Sequence, residues 1–398
     1  MKYIVLLGDG MADEPIAELD GKTPLEVAAT PHMDYFCRTG QSGLAATVPA
    51  GFPPGSDVAN LSVFGYDPAT CYSGRSPLEA ASMGVELAPE DVAFRLNFVW
   101  LEAHYGKIYM GDFSAGHIST AEAAELIATL QQELGGDEFN FHAGVSYRHL
   151  VVWKNGKDQL TFTPPHDIST QSIEDYLPQG DGAATLLDLT NSAQMLLNDH
   201  PINNRRVAER QLPANSIWLW GHGRKPAMET YQQRFGLSGS VISAVDLIKG
   251  IGVNAGLEII DVPGATGYID TNYRGKAEHA LAALKRKDFV YLHVEAPDEA
   301  AHGGLLQEKI AAIESFDREV VGTIRQHLSE LGDCRLLITP DHPTPVEKRT
   351  HTADPVPFIL YDSTAKRENA AAGYSEAEAK RYGETVAGHQ LLPLMLQR

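Results

Sequence analysis

A chain of 398 residues is too long for one ordinary domain and comfortable for two, and 43% hydrophobic with 21% charged residues is the composition of a globular protein. A formal net charge of −20 argues against a nucleic-acid partner, which needs a basic footprint. It leaves room for an anionic small substrate, because a bound metal or a few local arginines can invert the field at one site. Cys37, Cys71 and Cys334 stand far apart with no CxxC spacing, which points to a reducing compartment rather than a disulfide framework or a thiolate zinc site. The apolar run of "MKYIVLLGDG" is too short for a signal-peptide core. No stretch approaches a membrane span, so a soluble cytoplasmic protein without a membrane partner is expected.

In chain order, "KYIVLLGDG" reads as a buried strand running into a loop, followed by the Pro- and Gly-rich loop "VPAGFPPGSD" at 48–57. "DVAFRLNFVW" and "GKIYMGDF" suit a hairpin or meander. "STAEAAELIATLQQELGG" predicts a helix, with Ser119 and Glu122 at capping-box spacing and Gly135-Gly136 as its stop. "YRHLVVW" and "SIWLWGHG" are further strands. "GKAEHALAALKRK" predicts a helix, "DFVYLHVE" a strand, "EKIAAIESFDREVVGTIRQHL" a long amphipathic helix, and "RLLITPDH" another strand. "STAKRENAAAGYSEAEAKRYG" reads as an exposed loop and helix. This alternation predicts an α/β fold with a mostly parallel sheet covered on both faces. The opening strand matches the C-terminal strands better than the middle of the chain. The expected architecture is therefore a core split over 1–75 and 270–398, with a second domain inserted at 76–269.

Three strands of the expected core end in metal-ligating residue types. The first ends at Asp9, the second at Asp298 and His302, and the third at Asp341 and His342, with His351 nine residues on. Open parallel sheets bind ligands beyond the carboxyl ends of their strands, where these six side chains would meet. Asp298 and His302, at i and i+4, share a face if that segment is helical. Singly, each feature is an ordinary turn, cap or chance pair. Together, three Asp and three His are too many for one ion with an open position and suit two, and mixed carboxylate and imidazole donors fit manganese or zinc better than calcium. A two-metal site points to phosphoryl or hydrolytic chemistry, which calls for a nucleophile. Ser56 follows a glycine at the start of the predicted helix "DVANLSVF"; it reads as a plain N-cap or as a metal-activated alkoxide, and the two are compatible because an N-cap position is also a good phosphate site.

"LLGDGMADEP", "PGSDVANLSVFGYDP", "GRSPLEAASMGV", "HVEAPDEAAH" and "TPDHPTP" resemble the archaeal-type 2,3-bisphosphoglycerate-independent phosphoglycerate mutases of the alkaline phosphatase superfamily. The resemblance runs from the first strand to beyond His351. It implies an alkaline-phosphatase-like, mostly parallel sheet core flanked by helices, with an inserted α+β cap domain. It places Asp9, Ser56, Asp341 and His342 on one divalent ion and Asp298, His302 and His351 on the other. The ions would be manganese or zinc, with magnesium and cobalt as further options. It implies interconversion of 3-phosphoglycerate and 2-phosphoglycerate, a small phosphorylated substrate, through a phosphoserine at Ser56. The chain departs from the family in reading "DEAAHGGLL" where members commonly read "DEAGHEGD".

This chemistry needs cations for phosphate and carboxylate and groups to move protons. Arg75, Arg148, Arg224 and Lys276, each in a Gly- or aromatic-marked turn, are candidates for the first task, Asp112 and His117 for the second; His293 reads as a core residue. The alternatives are a homoserine kinase-like phosphotransferase, an activity also proposed for the bacterial branch that the chain resembles, and a metal-dependent phosphomonoesterase on the same core. "DGKTP" at 20–24 is no P-loop, because Ile16 stands where the first glycine is required. A protein using the same metals only for structure would have no use for a nucleophile.

Overall fold

The opening strand Lys2–Gly8 is apolar and β-branched, and its last five residues are buried. Parallel strands on both flanks explain that continuous burial: Phe289–Val294 on one side, Cys334–Thr339 on the other. The computed structural model, which describes residues 1–365, 367 and 370–397, extends this centre into an eight-stranded sheet. Its order is Glu258–Ile259, Gly239–Ile242, Phe289–Val294, Lys2–Gly8, Cys334–Thr339, Val356–Asp362, Gln41–Ala46, Thr385–Ala387. Among these, Val356–Asp362 alone runs against its neighbours.

The chain divides into two compact units, one formed by Met1–Tyr72 with Ala227–Arg398, the other by Ser73–Pro226. This corrects the expected return of the core at 270. Gly239–Ile242 and Glu258–Ile259 pair in parallel, and the former pairs with Phe289–Val294, so both belong to the core sheet. Strands of four and two residues are too short to show a period in the sequence.

The insert is built on Val92–His104, paired antiparallel with Lys107–Asp112, Arg148–Trp153 and Ser216–Gly223. One face packs Phe94, Leu96 and Phe98 with Leu126 and Leu130 of helix Thr120–Leu134, whose first turn is capped by Ser119 accepting from the Glu122 N–H. In the core, the long helix expected near residues 308–328 is interrupted: Leu306–Ser315 passes into a π-helical segment, Phe316–Val321, before Gly322–Gln326. Within it the buried carboxylate of Asp317 accepts the N–H groups of His32 and Met33, capping helix Pro31–Thr39. Helix Glu376–Tyr382 lies within the segment expected to be an exposed loop and helix. No described helix is long and apolar enough to cross a membrane, and the three cysteines are free and buried.

Candidate active site

Strand ends bring the candidate donors together. Asp9 follows Lys2–Gly8, Asp341 and His342 follow Cys334–Thr339, and the helix Ala296–His302 that begins just after Phe289–Val294 carries Asp298 and His302 on one face. Asp9, Asp298, Asp341 and His342 are buried. Donor atoms of Asp9, Asp341 and His342 lie within 4.8 Å of one another, as do those of Asp298, His342 and His351. His302 Nε2 is 3.2 Å from Asp298 Oδ2 and 2.9 Å from His351 Nε2.

Ser56 corrects one expectation. The extended Gly55 occupies the cap position, Ser56 is the first helical residue, and its hydroxyl caps nothing. Its Oγ instead stands 3.1 Å from His342 Nε2. A cap hydroxyl is tied to the helix backbone; this one faces the His342 ring at the positive end of the helix dipole.

Residues unnoticed in the sequence hold the donors in place. Asn60, one turn after Ser56, donates to Asp341 Oδ2 at 2.7 Å and accepts the Tyr291 hydroxyl at 2.6 Å. Asp341 Oδ1 accepts the N–H groups of Gly10 and His342 at 3.2 and 2.9 Å. Thr344 donates to Asp298 Oδ1 at 2.5 Å. Gly10 has φ +60, and a Cβ there would fall 2.6 Å from Asp298 Oδ1 and 2.7 Å from Thr344 Oγ1, so both conformation and space demand glycine. Asn60 at helical spacing from Ser56 and Thr344 two residues past His342 are the signals that would have found these partners.

The electrostatics fit cations. Burial first, then the charges of Asp341, Glu295 and Asp298, push the Asp9 carboxyl well above its usual range. Burial, with Asp298 next, raises Glu295 to about 8. Burial opposes ionisation of Asp298 too, yet hydrogen bonds from His302 and His351 hold it well below its usual range. The bond to Asp298 raises His302 to about 9. Crowded carboxyls beside imidazoles that turn ring nitrogens toward each other are costly without positive charge between them, and divalent ions remove that cost. The buried Asp9 Oδ1 has no hydrogen-bond partner, as a donor facing an ion would. The donor set therefore fits divalent metal.

The other candidates fall in two places. In the insert, Arg75 Nε and Arg95 Nη1 lie 2.8 and 3.1 Å from the same Glu79 oxygen, and the field of Arg148 reaches that carboxylate as well. Arg95 was hidden in an apolar strand; it is buried, stacks over Trp220 at 4.4 Å, and burial lowers its guanidinium to about 10. Arg148 and His117 are exposed and both approach the Tyr147 ring. Asp112 Oδ1 accepts from Ser114 and Gly116, shaping the loop that carries His117. Arg224 is committed to Asp158, Glu90 and Gly156 within the insert. Lys276, in the core, is fully buried, donates to the His293 carbonyl at 3.1 Å, and is lowered to about 8 by burial. His293 is buried as expected, but its ring faces Asp9.

Known proteins resemble this chain along its whole length. The sequence profile described as 2,3-bisphosphoglycerate-independent phosphoglycerate mutase matches residues 37–203. A probable 2,3-bisphosphoglycerate-independent phosphoglycerate mutase of Geobacter sulfurreducens is 60% identical over 399 residues, covering all of both chains. The enzyme of that name from Methanosarcina acetivorans is 53% identical over 96% of this chain and 95% of its own. Among solved structures, the PH0037 protein from Pyrococcus horikoshii superposes with a TM-score of 0.84 at 31% identity, covering 99% of this chain and 96% of its own. The cofactor-independent phosphoglycerate mutase from Thermoplasma acidophilum gives 0.68 at 25% identity over 100% and 99%. End-to-end identity at this level, on a chain whose strand ends gather Ser56 with carboxylate and imidazole donors, shows that the chain belongs to the 2,3-bisphosphoglycerate-independent phosphoglycerate mutase family.

Proposed function

We propose that this chain interconverts 3-phosphoglycerate and 2-phosphoglycerate through a phosphoserine at Ser56. The observation that carries the reading is the uncapped Ser56 hydroxyl, 3.1 Å from His342 Nε2 among the buried donors. Asp9, Ser56, Asp341 and His342 would hold one divalent ion and Asp298, His302 and His351 a second, with manganese or zinc suited to mixed carboxylate and imidazole donors. When bound, the ions polarise the phosphoryl oxygens and favour the deprotonated nucleophile.

The chain's own part is to place groups and move protons. Ser56 Oγ gives up its proton and attacks phosphorus in line, the bond from phosphorus to the glycerate oxygen breaks, and that oxygen takes up a proton in turn. The phosphoryl group then sits on the first residue of a helix, where the dipole favours its charge. The other glycerate hydroxyl gives up its proton and attacks in turn, which frees Ser56. Arg75, Arg95 and Arg148 present three cations to one carboxylate, Glu79, and the excess charge suits the substrate's carboxylate. Asp112 and His117 serve the glycerate hydroxyls. Arg224 is spent on Asp158, Glu90 and Gly156 and Lys276 on the His293 carbonyl, so neither cation is left over for the substrate's charge.

The test is a coupled assay for 2-phosphoglycerate on metal-reconstituted protein, run beside assays for free phosphate and for homoserine phosphorylation with ATP. Formation of 2-phosphoglycerate well above phosphate release, with homoserine untouched, is expected. No 2-phosphoglycerate with manganese, zinc, magnesium or cobalt would overturn the proposal.

A further inference from the structure

The two oxygens of Asp9 have different surroundings. Oδ2 lies 2.8 Å from His293 Nε2, whereas Oδ1 is buried with no hydrogen-bond partner. His293 sits in the strand Phe289–Val294, opposite Leu7 in the register, with its side chain fully buried. Its second nitrogen, Nδ1, is 3.1 Å from Ser243 Oγ. That oxygen also accepts the Val245 N–H at 3.0 Å, which fixes it beside the ring, and an ionised Asp9, as a metal ligand is, can only accept at Oδ2, so it takes its hydrogen bond from a protonated Nε2. Nδ1 is then the acceptor, and the ring proton sits on Nε2, aimed at Asp9 Oδ2. Lys276 fixes the same strand end by donating to the His293 carbonyl.

We propose that His293, held in place by Ser243, is a positioning residue that occupies Asp9 Oδ2 and turns Oδ1 to the metal. The inference rests on the metal-binding reading of Asp9 and adds a chain, Ser243 to His293 to Asp9, that sets which oxygen ligates. Partners behind metal ligands govern affinity in this way. Donor atoms of Asp9, His293 and Glu295 also lie within 4.8 Å of one another, a spacing that would suit a third cation. A ring nitrogen that carries the proton has no lone pair for a metal, which favours positioning over ligation.

The test measures manganese stoichiometry and the affinity of each ion, with the manganese-induced shift in Tm, for wild type, His293→Leu, His293→Gln and Ser243→Ala. His293→Leu should weaken the Asp9-held ion by about 10- to 100-fold and leave the ion of Asp298, His302 and His351 unchanged. His293→Gln, which can still donate an N–H, should recover much of that loss, and Ser243→Ala should show a smaller loss at the same ion. Equal weakening of both ions, or wild-type affinities with only a lowered Tm, would overturn the proposal in favour of simple core packing. A third manganese per wild-type chain that disappears in His293→Leu would overturn it in favour of ligation. Should His293→Leu fail to fold, the other two variants decide. A wild type that binds no ion would show separately that the metal reading itself is wrong.

Discussion

Asn60 joins the helix of the proposed nucleophile, Ser56, to a metal-ligand candidate: its amide nitrogen reaches both the Ser56 carbonyl, at 2.9 Å, and Asp341 Oδ2, at 2.7 Å. Its oxygen accepts the Tyr291 hydroxyl, and the Tyr291 ring stacks on Phe64 at 3.8 Å. One buried amide thus sets the distance between Ser56 and Asp341. Asn60→Ala leaves a buried hydroxyl and a buried carboxylate oxygen short of a partner, a loss of about 1–3 kcal/mol. Denaturant unfolding should show that loss, and kcat should fall at least about 10-fold because the nucleophile is less well placed. Unchanged stability and kcat would show that the tie carries no energy.

Asp9→Asn separates function from stability. Burial and three neighbouring carboxyls make the Asp9 charge unfavourable unless a cation is bound. Asparagine keeps an oxygen for His293 and removes the charge. The variant should lose one ion and activity by about 1,000-fold or more, in line with the loss of a metal that stabilises transition-state charge, yet melt no lower than wild type in chelator. Melting curves with and without chelator, beside elemental analysis, check this; a variant much less stable than wild type in chelator would mean that Asp9 is structural.

The insert carries its own pH dependence. His149 is buried at 3% exposure, its Nδ1 accepts the Gly144 N–H, its Nε2 has no partner, and burial lowers it to about 4 from 6.5. A histidine depressed in the folded state binds fewer protons than in the unfolded chain between those values. Stability is therefore full above about pH 6.5 and is lost as pH falls toward 4, by about 2 kcal/mol at pH 5. His149→Asn keeps an acceptor and should flatten this slope. An equal loss from pH 7 to pH 5 in wild type and variant would assign the slope to other groups.

Arg148 is exposed, so its removal tests recognition without the cost of a buried hole. Arg148→Ala should raise KM for 3-phosphoglycerate about 10- to 100-fold, as expected for a charge-assisted contact of about 1.5–3 kcal/mol, with Tm unchanged. Free phosphate should rise relative to 2-phosphoglycerate, since glycerate held less firmly escapes before it takes the phosphoryl group back. Equal loss of both products would mean that Arg148 does not retain glycerate.

The parts of the site visible in the sequence are those attached to strand ends. Asp9, Asp298, Asp341 and His342 follow apolar runs, so a parallel-sheet reading of the sequence places them together. Ser56 was noticed for its glycine and helix start, although the hydroxyl turned out to cap nothing. Asn60, Thr344 and Ser243 were silent because a polar residue in a loop or helix shows no partner until the chain folds. Arg95 was masked by the apolar strand around it, and its charge in that setting was the overlooked signal. His293 was read as core, and it is buried; burial did not reveal that its ring would be spent on Asp9. The strands 239–242 and 258–259 were lost to the insert because so few residues cannot display alternation.

The placement of the opening strand at the centre of the sheet also sets an order of events in synthesis. Tyr3 pairs with Phe289 on one side and Arg335 on the other, so this strand leaves the ribosome long before the partners that flank it. The insert, whose core lies between Val92 and Leu219, is complete long before then. Pairings so distant in sequence form slowly, and the apolar row Ile4 to Leu7 stays uncovered in the meantime. The nascent chain is thus prone to aggregate through this strand, and the full set of candidate ligands exists only after His351 has been added.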